Sequence, residues 1–125
     1  MVTEQDFDQF TGAEQFYRHW TGNVVYTEGV KILADQTGAY WLIDAIASYQ
    51  GSPKIRNHRM LRDFQIWELS VSAEKAALLT CKADSDLPVV IRQEIEFTDF
   101  PLPNIKLWVE SSGSAGNVLM LPSER

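Results

Sequence analysis

The chain has 125 residues, 45% of them hydrophobic and 11% aromatic, with a net charge of −6 and a single cysteine. That length suits one self-sufficient domain, residues 1–125, and the composition excludes a disordered chain. The charge argues against nucleic acid as a partner, the acidic start Val2–Asp6 is unlike a secretory leader, and no apolar run approaches the ~20 residues of a bilayer crossing, so a cytoplasmic protein with no membrane partner is expected.

In chain order, Thr3 and Asp6 form a capping pair, and Phe7 and Phe10 give one apolar edge of a short helical turn that Gly12 ends. The aromatic and polar run up to Trp20, the turn residues Thr21-Gly22-Asn23 and the strand-favouring Val24–Tyr26 predict a short hairpin. Thr27 then caps a helix reaching about Gln36, with Val30, Leu33 and Ala34 as its apolar stripe opposite Lys31 and Asp35. Thr37-Gly38 ends that helix and offers a cap for the next. From Ala39 to Gln50, apolar and aromatic residues surround a narrow polar sector of Asp44 and Ser48; a buried central helix that carries one acid inside with it is expected.

Gly51-Ser52-Pro53 stops that helix, and a loop from Lys54 to Arg62 follows that holds Lys54, Arg56, Arg59 and Arg62 with no acid; it carries +4 and leaves −10 for the rest. Beyond it come strand-like runs at Phe64–Val71, Ala76–Ala83, Val89–Phe97, Ile105–Glu110 and Val118–Leu121, divided by turn residues. Alternation in the third run sends Val89, Ile91, Ile95 and Phe97 to one face and Val90, Arg92, Glu94 and Glu96 to the other. Helices grouped before strands give the α+β class: an antiparallel sheet of about five to six strands, mostly a C-terminal meander, packed against an N-terminal helical pair. Trp41, Trp67 and Trp108 are expected to pack in the core, and Cys81, in a strand, to be a buried thiol.

No phosphate-cradling glycine loop, Gly-x-Ser-x-Gly elbow or His-Glu-x-x-His occurs, and His19, His58 and Cys81 are too scattered for metal spacing, so neither metal nor cofactor is expected. The residues that best suit chemistry are Tyr17, Arg18 and His19, with Tyr26 and Asp44: a histidine oriented by a carboxylate handles protons, and an adjacent arginine holds an anion. Strand parity already divides them, because Tyr17 and His19 share one face and Arg18 takes the other. Catalysis would fall to His19, Asp44 and Tyr17, and ligand binding to Arg18, Tyr26, Tyr40 and Arg56. The alternative is an aromatic edge strand, with Asp44 satisfied by Tyr40 or Ser48 one helical turn away. The basic segment suits an acidic partner or is a solvated loop, and Phe100-Pro101-Leu102-Pro103 is a presented loop or a crossing between strands.

The ordered motifs Phe10-Thr11-Gly12, Tyr17-Arg18-His19, Tyr26-Thr27-Glu28-Gly29-Val30, Ala39-Tyr40-Trp41-Leu42-Ile43-Asp44, Phe64-Gln65-Ile66-Trp67 and Phe97-Thr98-Asp99-Phe100-Pro101-Leu102 resemble a family of short bacterial proteins, plasmid- and phage-borne among them, that is classed as a domain of unknown function. The likeness spans Phe10 to Trp108 and implies a stand-alone copy of that domain, with no activity or site residue to carry over. Three readings follow from the residues. The first is a non-catalytic binding or accessory module that holds an unknown protein partner or a second copy of itself. The second is a small enzyme with a His/Asp/Tyr site for an anionic substrate. The third is an acidic mimic of nucleic acid, which requires acids arrayed on one surface.

Overall fold

The computed structural model describes residues 15–112 and 116–125; the expected turn around Thr3, Asp6, Phe7 and Phe10 lies outside them. Strands β1 (Phe16–Arg18) and β2 (Val24–Thr27) form the expected antiparallel hairpin, with Tyr17 opposite Tyr26. Thr27 caps helix α1 (Glu28–Thr37) by accepting the Val30 N–H on its side chain, and Val30, Leu33 and Ala34 are buried. Gly38 closes α1 in the left-handed conformation, φ 71°, and its N–H returns to the Ala34 carbonyl.

Helix α2 (Tyr40–Tyr49) starts without a side-chain cap, because Ala39 takes that position and the Thr37 hydroxyl turns back to the Leu33 carbonyl. Nor is α2 buried all round. Leu42, Ile43, Ile46 and Ala47 face the core, whereas Tyr40, Asp44 and Ser48 are exposed, so the acid does not enter the interior. One layer of sheet covers one side of a helix, and the phenol tip of Tyr40 is as well placed in water as its ring is against protein. Where the sequence reads as a plain loop, Ser52 and Pro53 start a short third helix, α3 (Pro53–Arg56).

Five further strands follow: β3 (Phe64–Val71), β4 (Ala77–Lys82), β5 (Ile91–Ile95), β6 (Asn104–Ser111) and β7 (Asn117–Met120). Among the described residues the sheet therefore has seven strands, not five or six, in the order β1-β2-β7-β6-β3-β4-β5. It is mostly antiparallel but mixed, because β2 and β7 run parallel, with Val25 opposite Val118. The meander is confined to β3-β4-β5 among the described residues. The chain then crosses back to lay β6 on the other side of β3, and the crossing is the Phe100–Pro103 segment, whose Phe100 and Leu102 plug the core.

Trp67, Leu69, Leu79, Cys81, Leu107, Val109 and Leu119 form the helix-facing side of the sheet with the stripes of α1 and α2. Of the three tryptophans expected there, Trp67 is buried, Trp41 packs at the margin of the core, and Trp108 stands on the opposite sheet face, edge-on to Phe64. Burial pushes the Cys81 thiol up to about 12. Val89 and Phe97 leave the expected core face: the ladder of β5 ends inside them, and they are 48% and 69% exposed. A buried amide pair fastens the end of α2 to the sheet, Gln50 and Gln65 donating to each other at 2.9 and 2.8 Å, with Trp67 and Asn117 donating into the pair.

Candidate functional site

The hairpin turn between β1 and β2 brings His19 against α2. His19 is 5% exposed, and its Nε2 lies 2.7 Å from Asp44 Oδ1, whose side chain is half in solvent at 52%. The partner of Asp44 is thus His19, and not Tyr40 or Ser48; the Ser48 hydroxyl donates to the Ala45 carbonyl instead. On the other side of the ring, Nδ1 is 2.8 Å from Thr21 Oγ1 and accepts the Thr21 backbone N–H at 3.2 Å. A backbone N–H pointing at Nδ1 assigns the proton to Nε2, which donates to Asp44. Both nitrogens are engaged. The chain around the ring is tight as well, with His19 N–H donating to Val24 and Gly22 N–H to His19.

Next to this pair runs a strip of tyrosines. Tyr17 and Tyr26 stack across the hairpin with centroids 5.7 Å apart, and the Lys31 ammonium lies 5.4 Å from the Tyr17 ring centre. Lys31 bonds Asp35 at 2.8 Å one helical turn on, and Tyr40, the first residue of α2, donates its hydroxyl to the same carboxylate. The hydrogen bond from Lys31, and after it that from Tyr40, holds the Asp35 carboxyl below its usual range; accepting that bond, Asp35 in turn raises both Lys31 and the Tyr40 phenol.

Of the residues singled out from sequence, Tyr17, His19, Tyr26, Tyr40 and Asp44 therefore gather where the hairpin, α1 and the start of α2 meet. Arg18 and Arg56 do not join them. Arg18 is exposed on the opposite side of β1, as parity requires, and Arg56 is exposed on α3. Thr21, Lys31, Asp35 and the neighbouring Trp20, 82% exposed with its ring 5.3 Å from that of His19, are members of the cluster that the motifs missed. The i,i+4 spacing of Lys31 and Asp35 was the available signal.

Open hollows lie elsewhere, among them one of about 510 Å³ by Ala77, Leu78, Arg92 and Glu94 and one of about 370 Å³ by Phe16, Val118, Met120 and Arg125. Among the described residues no three His, Cys, Asp or Glu side chains cluster to hold a metal, and no helix is long and apolar enough to cross a membrane.

The basic segment has a frame of its own. Ile55 and Leu61 are buried at 3% and 0%, His58 Nδ1 accepts the Leu61 N–H, and Ser52 Oγ accepts the Lys54 N–H. Lys54, Arg56, Arg59 and Arg62 all point outward, and among the described residues none of the four forms an ion pair. Elsewhere some acids lie beside cations: Lys31 with Asp35, Arg92 with Glu94, and Arg125 with Glu110.

A family model described as "Family of unknown function (DUF6876)" matches residues 1–125. No curated protein matches the chain, and no solved structure does.

Proposed function

The chain belongs to that family of unknown function, and from this premise we propose that the protein is a non-catalytic binding module that holds an acidic protein partner on residues 54–62. The observation that carries this reading is the set of four outward cations that form no ion pair among the described residues, in a chain whose net charge is −6. A cluster of one sign left unneutralised attracts an opposite surface and steers its approach. Buried Ile55 and Leu61 fix the backbone beneath the charges, so a partner meets a shaped surface and less ordering entropy is lost on binding. Met60, 45% exposed among them, adds apolar contact. The segment lacks the interleaved aromatic residues on which single-stranded nucleic acid stacks.

The 2.7 Å approach of His19 and Asp44 favours the enzymatic alternative, but the occupation of Nδ1 counts against it. A proton-transferring histidine needs one nitrogen facing the substrate, and here Thr21 and Asp44 take both. Mixed charge on α1, β5 and β6 likewise disfavours an acidic nucleic-acid mimic, which needs acids unrelieved by cations.

Titration calorimetry with a Glu- and Asp-rich peptide tests the proposal. Wild type is expected to bind with an affinity that falls steeply with salt, and Arg56→Glu/Arg59→Glu to bind at least tenfold more weakly with an unchanged melting temperature. Equal affinity of the two proteins, or preference for a single-stranded oligonucleotide over the peptide, overturns it.

A further inference from the structure

Strand β5 ends the sheet, and among the described residues nothing pairs with its outer side, so a row of its backbone N–H and C=O groups faces away from β4. Two large apolar residues flank it in the open: Val89 at 48% and Phe97 at 69% exposure, with no part in the core. We infer that β5 is the interface for a second copy of this chain, the two strands pairing antiparallel about Gln93 to join two sheets into one of fourteen strands.

The sequence of the strand specifies this partner and this register. About a two-fold axis at Gln93, Arg92 of each copy lies opposite Glu94 of the other, Ile91 opposite Ile95, and Val89 opposite Phe97. Within one chain Arg92 and Glu94 only lean together at 3.6 Å, both well exposed at 61% and 81%, so each is free to engage across the axis. The alternatives are worse. A slip of one residue turns every side chain to the wrong face, and moving the axis by one residue sets Arg92 against Arg92 or Glu94 against Glu94. The same pairing brings the two exposed apolar residues together, and Phe97 already borders a hollow with Trp41, Ile95 and Thr98. Charged residues on an edge strand ordinarily keep other strands away; in this order they repel a strand that sets like charges opposite them and accept their own. The surface is separate from residues 54–62, so the two proposals stand or fall independently.

Sedimentation equilibrium across the micromolar range tests it. Wild type is expected to be a reversible dimer, a weak one as befits a small interface. Arg92→Glu alone sets acid against acid at both contacts across the axis, and Glu94→Arg alone sets cation against cation; each is expected to weaken the dimer at least tenfold. An equimolar mixture of the two variants places opposite charges at both contacts, and dimer is expected to return. Both sites are exposed, and matching circular dichroism melts verify that the variants fold. A wild type monomeric throughout overturns the inference. So do variants that dimerise like wild type, and so does a mixture that fails to re-form the dimer.

Discussion

Tyr40 keeps its phenolic proton in order to donate it to Asp35, while Lys31 holds the same carboxylate from the preceding helix. The consequence is a pH window with a definite sign. Because the phenol is raised on folding, its stabilisation is complete below the ordinary tyrosine range, near ~10, and disappears as pH rises through the higher folded value; raised Lys31 behaves in the same direction. Asp35 is lowered, so its share is present above the ordinary carboxylate range, near ~4, and is lost only as pH falls through the depressed value. Tyr40 is expected to ionise late in a spectrophotometric titration of the native protein, and Tyr40→Phe to remove that late component. A late component that survives the substitution contradicts the assignment. His19 is the other residue whose neighbours decide its behaviour. His19→Ala removes two anchors and opens a buried hole, which costs about 2 kcal/mol, or roughly 8 °C in melting temperature. Asp44→Asn keeps an acceptor for Nε2–H at a half-exposed position and is expected to cost less than ~1 kcal/mol. Thermal melts that show equal losses at the two positions contradict the clasp.

Elements whose signals are local were legible. The bounds of β3 match its alternation, Thr27 caps α1 as its hydroxyl and position require, and parity in the hairpin separates Arg18 from Tyr17 and His19. Misreadings came where a pattern outruns its element. Alternation continues past both ends of β5, so Val89 and Phe97 read as core although no ladder holds them there. In α2 the abundance of aromatic residues conceals a single buried face of Leu42, Ile43, Ile46 and Ala47, because hydrophobicity alone does not say which aromatic tips stay wet. The parallel pairing of β2 with β7 carries no local signal at all: some ninety residues lie between them, and each strand alone is compatible with an antiparallel neighbour. Residue types suggested His19 with Asp44, but their contact depends on how the hairpin folds onto α2. Asp35 with Tyr40 was hidden by the left-handed turn at Gly38, which resets the helical spacing between them.

The whole molecule is closed by its C-terminus. After β7, a 3-10 turn at Pro122–Glu124 aims the Glu124 carboxylate at the start of α1, where it accepts the Thr27 hydroxyl at 2.5 Å, the Gly29 N–H at 3.2 Å and the Leu121 N–H at 2.9 Å. It is 7% exposed, and a buried carboxylate is best satisfied at a helix N-terminus, whose free N–H groups and dipole favour negative charge. This contact joins chain segments 97 residues apart and ties α1 to the side of the sheet that β7 completes. Gly29 makes the fit possible: a Cβ there would sit 2.7 Å from Glu124 Oε2 and 2.8 Å from Oε1. Glu124→Ala is therefore expected to cost on the order of 3 kcal/mol, or roughly 12 °C in melting temperature, since three donors lose one charged acceptor. In a wild-type background Gly29→Ala is expected to destabilise, although glycine to alanine inside a helix ordinarily stabilises by ~1 kcal/mol. With Glu124→Ala already present the collision is gone, and the same substitution should regain its ordinary favourable sign. A double-mutant cycle by chemical denaturation measures that reversal. If Gly29→Ala has the same effect in both backgrounds, the carboxylate does not rest on the helix start, and the closing contact between the C-terminus and α1 is wrong.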